Sequence, residues 1–220
     1  MNTQHPDSIK TLVIDSASDE LSVAVLDGDH NILAHSQQTV WRDMAARLQP
    51  TIQDVLAQSQ CSFCDLSAIY TNLGPGSFTS IRIGLAAVKA LSFSLAIPAY
   101  GASGMAALAR PYKGKSVAVC LKAVGKDVYW QMFSPDGKPQ QAPQCLPLQS
   151  VLGQAAQADV LLANINLDES DDNAVPKQIK TIAIKAPNPR DIAAIAERSE
   201  QANALTPLYV RPLTYKKQIA

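Results

Sequence analysis

Three places in this sequence bring together residue types that could do chemistry. The first is Asp15, which ends the apolar run Thr11-Leu12-Val13-Ile14 and is followed by Ser16-Ala17-Ser18. A carboxylate at a strand end can open a phosphate loop, in which a glycine lets backbone N–H groups close on the phosphate. Here Ala17 stands at the glycine position, and Asp19 and Glu20 add two charges that repel phosphate. Asp15 therefore reads as capping its own turn. The second place is Gly74-Pro75-Gly76-Ser77-Phe78-Thr79. Such a loop can offer free N–H groups and a positive helix end to an anion. No lysine follows as in a Walker loop, and Arg82 lies one turn into the helix. The glycines read as shaping a tight turn, with Ser77 or Thr79 as the helix cap. The third is Ser103 in Gly101-Ala102-Ser103-Gly104, which lacks the second spacer of G-x-S-x-G and has no histidine downstream. No catalytic nucleophile–base pair is expected.

Metal chemistry has equally little to stand on. Cys61 and Cys64 form one C-x-x-C, but Cys120 and Cys145 give no second close pair, and His5, His30 and His35 all lie near the N-terminus. A structural zinc site wants two such pairs, or one pair with spaced histidines. The four cysteines read as unpaired thiols, and neither a metal nor a cofactor is expected.

The elements that would position these residues follow from periodicity. Thr11–Asp15, Leu21–Leu26 and the stretch from Ile32 read as strands, the last two joined by an Asp27-Gly28-Asp29 turn, so three strands form an antiparallel meander. Met44, Leu48, Ile52, Val55 and Leu56 share one helical face, with Pro50 bending that helix or shifting its start. Leu66–Thr71 is a fourth strand, Thr79 to about Ala96 a second helix, and Pro98–Gly101 a short fifth strand. Three strands, helix, strand, helix, strand is the order of a ribonuclease-H-like lobe, assigned to residues 1–104. Residues 105–220 read as a smaller, less regular α/β lobe. It holds a helix near Met105–Ala109, strands at Ser116–Leu121, Asp127–Phe133, Ala158–Asn164 and Thr181–Ile184, and a helix from Pro189 to Ala202. Asp168–Asn173 reads as an exposed acidic loop and Tyr215-Lys216-Lys217 as a frayed tail.

The second helix carries the strongest functional signal. Ile81, Ile83, Leu85, Val88, Leu91, Phe93 and Leu95 cover nearly every direction around it, interrupted by Arg82, Lys89 and a few serines. A helix apolar all round must be buried all round, and one sheet covers only one side. Ser80, Gly84, Ala87 and Ala90 would let a second helix approach closely. The expected interface to another protein therefore comprises Gly74, Pro75, Gly76, Ser77, Phe78, Thr79, Ser80, Ile81, Arg82, Gly84, Leu85 and Val88. Burial by the protein's own second lobe is the competing reading.

Composition bounds the rest. The 220 residues are 47% hydrophobic, with 19 Lys plus Arg balancing 19 Asp plus Glu. A chain gripping nucleic acid by its own surface usually carries a basic excess, so contact with nucleic acid is expected through a partner. The polar N-terminus and the charges within the longest apolar run predict no membrane segment and a cytoplasmic location.

Leu12-Val13-Ile14-Asp15-Ser16-Ala17, the run Gly74 to Gly84, Val128-Tyr129-Trp130 and Pro207-Leu208-Tyr209-Val210-Arg211 together resemble the TsaB (YeaZ) family. The resemblance follows the whole chain in order, and the central run is its most specific part. It implies an actin/Hsp70/sugar-kinase (ASKHA) fold of two ribonuclease-H-like lobes with a degenerate second lobe. It also implies a subunit without activity alone, partnered by the catalytic homologue TsaD and the ATPase TsaE. That complex transfers a threonylcarbamoyl group to the adenosine next to the tRNA anticodon. Without TsaD, the family's N-lobe helices often pair two copies. This sequence departs from the family pattern in three places. Arg42-Asp43-Met44-Ala45-Ala46 replaces R-x-H-S-E, Ser80 replaces a glycine, and Lys122-Ala123-Val124 replaces D-A-R. The alternative is a small ATPase or kinase, or a glycoprotease-like enzyme, of the same superfamily.

Overall fold

A computed structural model describes residues 9–165, 179–198 and 205–211. The acidic loop at 168–173, the tail at 215–217 and residues 199–202 of the last expected helix lie outside the described residues.

The first sheet grows from strands β1 (Lys10–Asp15), β2 (Glu20–Leu26) and β3 (Ile32–Thr39). They pair antiparallel, with Val13 opposite Ala24 and Ala24 opposite His35. The Asp27 carboxylate closes the β2–β3 turn by accepting from the Asn31 N–H at 2.7 Å and the Asp29 N–H at 3.0 Å. β1 and β2 are buried almost throughout, because layers cover both faces of the sheet, and this explains their near-continuous apolar runs. Helix α1 (Met44–Gln58) turns Met44, Leu48, Ile52, Val55 and Leu56 inward, as their spacing requires. Pro50 lies inside α1 on its solvent side; it neither starts the helix nor ends it. Strand β4 (Leu66–Asn72) then runs parallel to β1, helix α2 (Phe78–Leu95) follows, and β5 (Ala99–Ala102) lies parallel to β4. The strand order is β3-β2-β1-β4-β5.

The same order recurs in the second half. After helix α3 (Gly104–Ala109), strands β6 (Val117–Lys122), β7 (Asp127–Phe133) and β8 (Gln144–Pro147) form an antiparallel meander. Helix α4 (Leu148–Ala155) leads to β9 (Val160–Ala163) and β10 (Lys180–Ala183), both parallel to β6. Read from its far edge, this sheet is β8-β7-β6-β9-β10, the first lobe's order repeated. The molecule is thus an α/β protein of two ribonuclease-H-like lobes with the ASKHA architecture, the second reduced to short elements.

β8 and α4 are absent from the sequence reading, although Leu148, Val151, Leu152 and Ala155 carry a helical i, i+3, i+4, i+7 pattern. The pattern runs for only about two turns directly after Pro147, too short to stand out by periodicity.

The first sheet ends with β5 and the second begins with β6, but the packing crosses between the two halves of the chain. Helix α5 (Pro189–Ala196) follows the second sheet and packs against the first, its Ile192, Ala193 and Ala196 clustering with Val13, Ala24, Leu26 and Tyr70. Arg110 pairs with Asp191 at 2.5 Å, Arg190 donates to the His30 carbonyl at 2.7 Å, and the Tyr70 hydroxyl donates to Glu197 at 2.6 Å. Residues 205–211 return to the first lobe as well: the Leu208 N–H donates to the Leu73 carbonyl at 2.8 Å.

Candidate functional site

Two surfaces meet at the turn before α2, one inside the molecule and one outside. The turn is pinned to the β1–β2 connection, where the Ser77 N–H donates to the Ala17 carbonyl at 2.7 Å. A Cβ on Gly76 would come within 1.9 Å of that same carbonyl, so only glycine fits. Ser77 is the cap residue, its hydroxyl accepting from the Ser80 N–H at 3.4 Å. From the second lobe, the Tyr129 hydroxyl donates to the Gly76 carbonyl at 3.3 Å.

The glycine loop borders a cleft of about 680 Å³ between the lobes. Asp15 lines it and is 2% exposed. Its Oδ1 accepts from the Ala17 N–H at 2.9 Å, as the turn-capping reading expects, and also from Asn72 Nδ2 at 3.0 Å. Burial pushes the Asp15 carboxyl up to about 6, against the opposing pull of those two hydrogen bonds. Asn72 joins the site without a sequence signal, one residue beyond the expected fourth strand Leu66–Thr71. It ends β4 beside Asp15, and its Oδ1 accepts from the Gly74 N–H at 2.8 Å.

Helix α2 has two unlike sides. Ser80, Ile81, Gly84, Leu85 and Val88 are buried in the first lobe. The sequence reading gave the small residues Ser80 and Gly84 to an approaching foreign helix, and the structure corrects this. Ser16 Oγ donates to the Ser80 carbonyl at 2.9 Å, and a Cβ on Gly84 would meet Ser16 Oγ at 2.1 Å. The thin side therefore accommodates the chain's own β1–β2 turn. Ile81, Leu85 and Val88 are core residues, 1%, 4% and 0% exposed, and Gly74 and Pro75 are buried too. Of the residues expected at an interface, Thr79 and Arg82 are exposed, while Gly76, Ser77 and Phe78 are half-buried.

The outward side runs Thr79, Arg82, Ala86, Lys89 and Phe93, spaced at three to four residues along one stripe, with Ala90 beside Lys89. Phe93 is 90% exposed. At the N-terminal end of the stripe Arg82 stacks on Phe78, 3.7 Å from the ring centre, and its Nε donates to the Tyr209 hydroxyl at 2.8 Å. By length and composition α2 could cross a membrane, yet its inner side is built into the core of the first lobe.

Ser22 Oγ and His35 Nε2 lie 2.9 Å apart across β2 and β3. Ser22 is 2% exposed, held within the sheet away from the cleft lining. All four cysteines are free thiols, with Cys61 and Cys120 buried.

Comparison with known proteins places this geometry. Residues 33–141 match the family model described as TsaD, tRNA N6-adenosine threonylcarbamoyltransferase. The tRNA threonylcarbamoyladenosine biosynthesis protein TsaB of Buchnera aphidicola (from Acyrthosiphon pisum) is 34% identical over 128 residues, 56% of this chain and 57% of that protein. The chain is similar to the TsaB (YeaZ) proteins. TsaB of Escherichia coli K12 is 31% identical over 132 residues, 58% of this chain and 56% of that one. These alignments thus span little more than half the length of the curated TsaB proteins. The structure of YeaZ from Pseudomonas aeruginosa superposes with a TM-score of 0.72, covering 91% of this chain and 99% of that one at 22% identity, which establishes the shared fold.

Proposed function

We propose that this TsaB relative is a cytoplasmic, non-catalytic subunit in the formation of threonylcarbamoyladenosine on tRNA. It holds a TsaD-like transferase in a productive arrangement, with a TsaE-like ATPase in the same assembly. The tRNA is reached through the complex, in keeping with a formal net charge of zero on this chain. The observation that carries the reading is the outward stripe of α2, where Ala86, Ala90 and a 90% exposed Phe93 lie uncovered by either lobe. The partner-facing residues are Thr79, Arg82, Ala86, Lys89, Ala90 and Phe93, entered through the turn Gly74–Phe78. In the absence of the transferase the same stripe pairs two copies of the chain.

The test is co-expression with the host's tRNA N6-adenosine threonylcarbamoyltransferase, followed by affinity purification. The two chains are expected to co-elute, and tRNA from cells depleted of this protein to lose the modification. Separate elution with fully modified tRNA would overturn the reading. So would tight, magnesium-dependent ATP binding by the isolated chain, measured calorimetrically.

A further inference from the structure

The returning segment 205–211 does more than close the first lobe, because its Tyr209 holds Arg82 in one pose. The segment is tied down where the Leu208 N–H donates to the Leu73 carbonyl at 2.8 Å and Leu208 packs against the first-lobe core. The Tyr209 ring therefore stands beside Phe78 at the start of α2, with ring centres 5.0 Å apart and planes inclined by 35°. Arg82 lies over both rings, its guanidinium carbon 3.7 Å from the Phe78 centre and 5.7 Å from that of Tyr209. The Tyr209 hydroxyl accepts from Arg82 Nε at 2.8 Å. An exposed arginine ordinarily samples many rotamers; here stacking sets the plane of the guanidinium and the Nε bond sets its direction.

Arg82 Nη1 and Nη2 have no partner among the described residues, and the side chain pairs with no carboxylate there. These two nitrogens form the end edge of the guanidinium, whose parallel N–H groups match the two oxygens of a carboxylate. Arg82 is exposed on the outward stripe, and helix α2 carries Arg82 and Lys89 but no Asp or Glu. Nothing on the helix itself answers these charges.

We infer that Arg82 is the polar anchor of the docking face, receiving a carboxylate of the partner protein on its Nη1–Nη2 edge, and that Tyr209 is its positioning residue. This role rests on the docking of α2 proposed above, and it fixes what the partner supplies: an Asp or Glu beside the apolar patch that meets Ala86, Ala90 and Phe93. A tRNA phosphate fits less well. Gripping a nucleic-acid backbone takes several cations together, whereas Arg82 shares its stripe with Lys89 and apolar side chains. A second copy of the chain fits less well too, since its own α2 brings no carboxylate. With the pose set before the partner arrives, little side-chain freedom is lost on binding.

The experiment measures the dissociation constant of variants of the full chain for the co-expressed transferase. Both side chains are exposed, so the variants are expected to fold like the parent. Arg82→Lys keeps the charge and loses the fork, and is expected to bind about tenfold more weakly. Tyr209→Phe keeps the ring and loses the acceptor. It is expected to weaken binding about threefold in the parent background and not at all once Arg82 is replaced by alanine. The same loss in both backgrounds would mean that Tyr209 acts on the fold alone, and would overturn its positioning role. In the isolated chain, the Arg82 Nε–H resonance is expected to exchange slowly with water, and faster in Tyr209→Phe. Equally fast exchange in both would overturn the mounted pose, whatever the transferase does. Unchanged transferase binding by Arg82→Lys would overturn the anchor, as would a loss confined to tRNA binding by the assembled complex or to self-association of the chain. If Phe93→Asp weakens the complex and Arg82→Lys does not, the docking of α2 stands and the anchor alone is rejected. If parent and transferase never associate, both fall.

Discussion

The two lobes share one strand order and differ in how much chain each spends on it. The first has helices of 15 and 18 residues over strands of four to eight. In the second, β8, β9 and β10 have four residues each, and α4 has eight. The second lobe closes its core with large side chains in place of helix length: Trp130 and Phe133, 0% and 1% exposed, fill opposite faces of β7. The first lobe's longer α2 exceeds what its own sheet can cover, and the excess is the outward stripe. The equivalent strands β1 and β6 also end differently, in buried Asp15 and in exposed Lys122, so the lobes present opposite charges to the cleft. Topology sets the shared frame, while local helix length and strand-end residues decide what each lobe offers to other molecules.

The sharpest way to break this comparison is Leu85→Glu. It puts an unpaired carboxylate into the first-lobe core, and is expected to cost more than about 4 kcal/mol, a large part of a domain's stability. Circular dichroism during chemical denaturation would register the loss. A well-folded Leu85→Glu protein would mean that α2 does not bury this side.

Next in size is Trp130→Ala in the second lobe, expected to cost about 3 kcal/mol or more by removing a fully buried side chain. A loss below about 1 kcal/mol would show that the short second lobe is not held by its large side chains.

Asp15→Asn should act in the opposite direction. Folding raises the Asp15 pKa from 3.8 to about 6, so the folded protein holds more protons across that interval. Its contribution to stability is therefore present at low pH and is lost as pH rises through about 6. The amide keeps an acceptor for Ala17 and removes the buried charge, so at pH 7 the variant is expected to gain about 2 kcal/mol over the parent. At pH 4 the gain should vanish. Denaturation midpoints compared across pH 4–7 check this, and an equal difference at every pH would contradict it.

Much of the frame was legible in the sequence because it rests on local periodicity. The apolar alternation of β2, the one-faced spacing of Met44 to Leu56, and Ser77 as a cap all depend on near neighbours. The site was less legible because its contacts join distant residues. Ser16 meets Ser80 and Gly84 across 64 and 68 positions, so small residues that looked like room for a foreign helix proved to be room for the chain's own turn. Asn72 reaching Asp15, and Tyr209 capping Arg82 from 127 residues away, leave no periodic trace either. The return of α5 to the first lobe depends on Arg190 and Glu197 finding partners at His30 and Tyr70, which no local pattern announces.

The central claim is that the outward side of α2, and not its buried side, meets the partner. Phe93→Asp tests it most directly, since a 90% exposed side chain can change without disturbing the fold. The measurement is the dissociation constant for the co-expressed transferase, with the denaturation midpoint of the isolated variant alongside. The account predicts binding at least about tenfold weaker with an unchanged midpoint. An unchanged dissociation constant in a normally folded variant would contradict it.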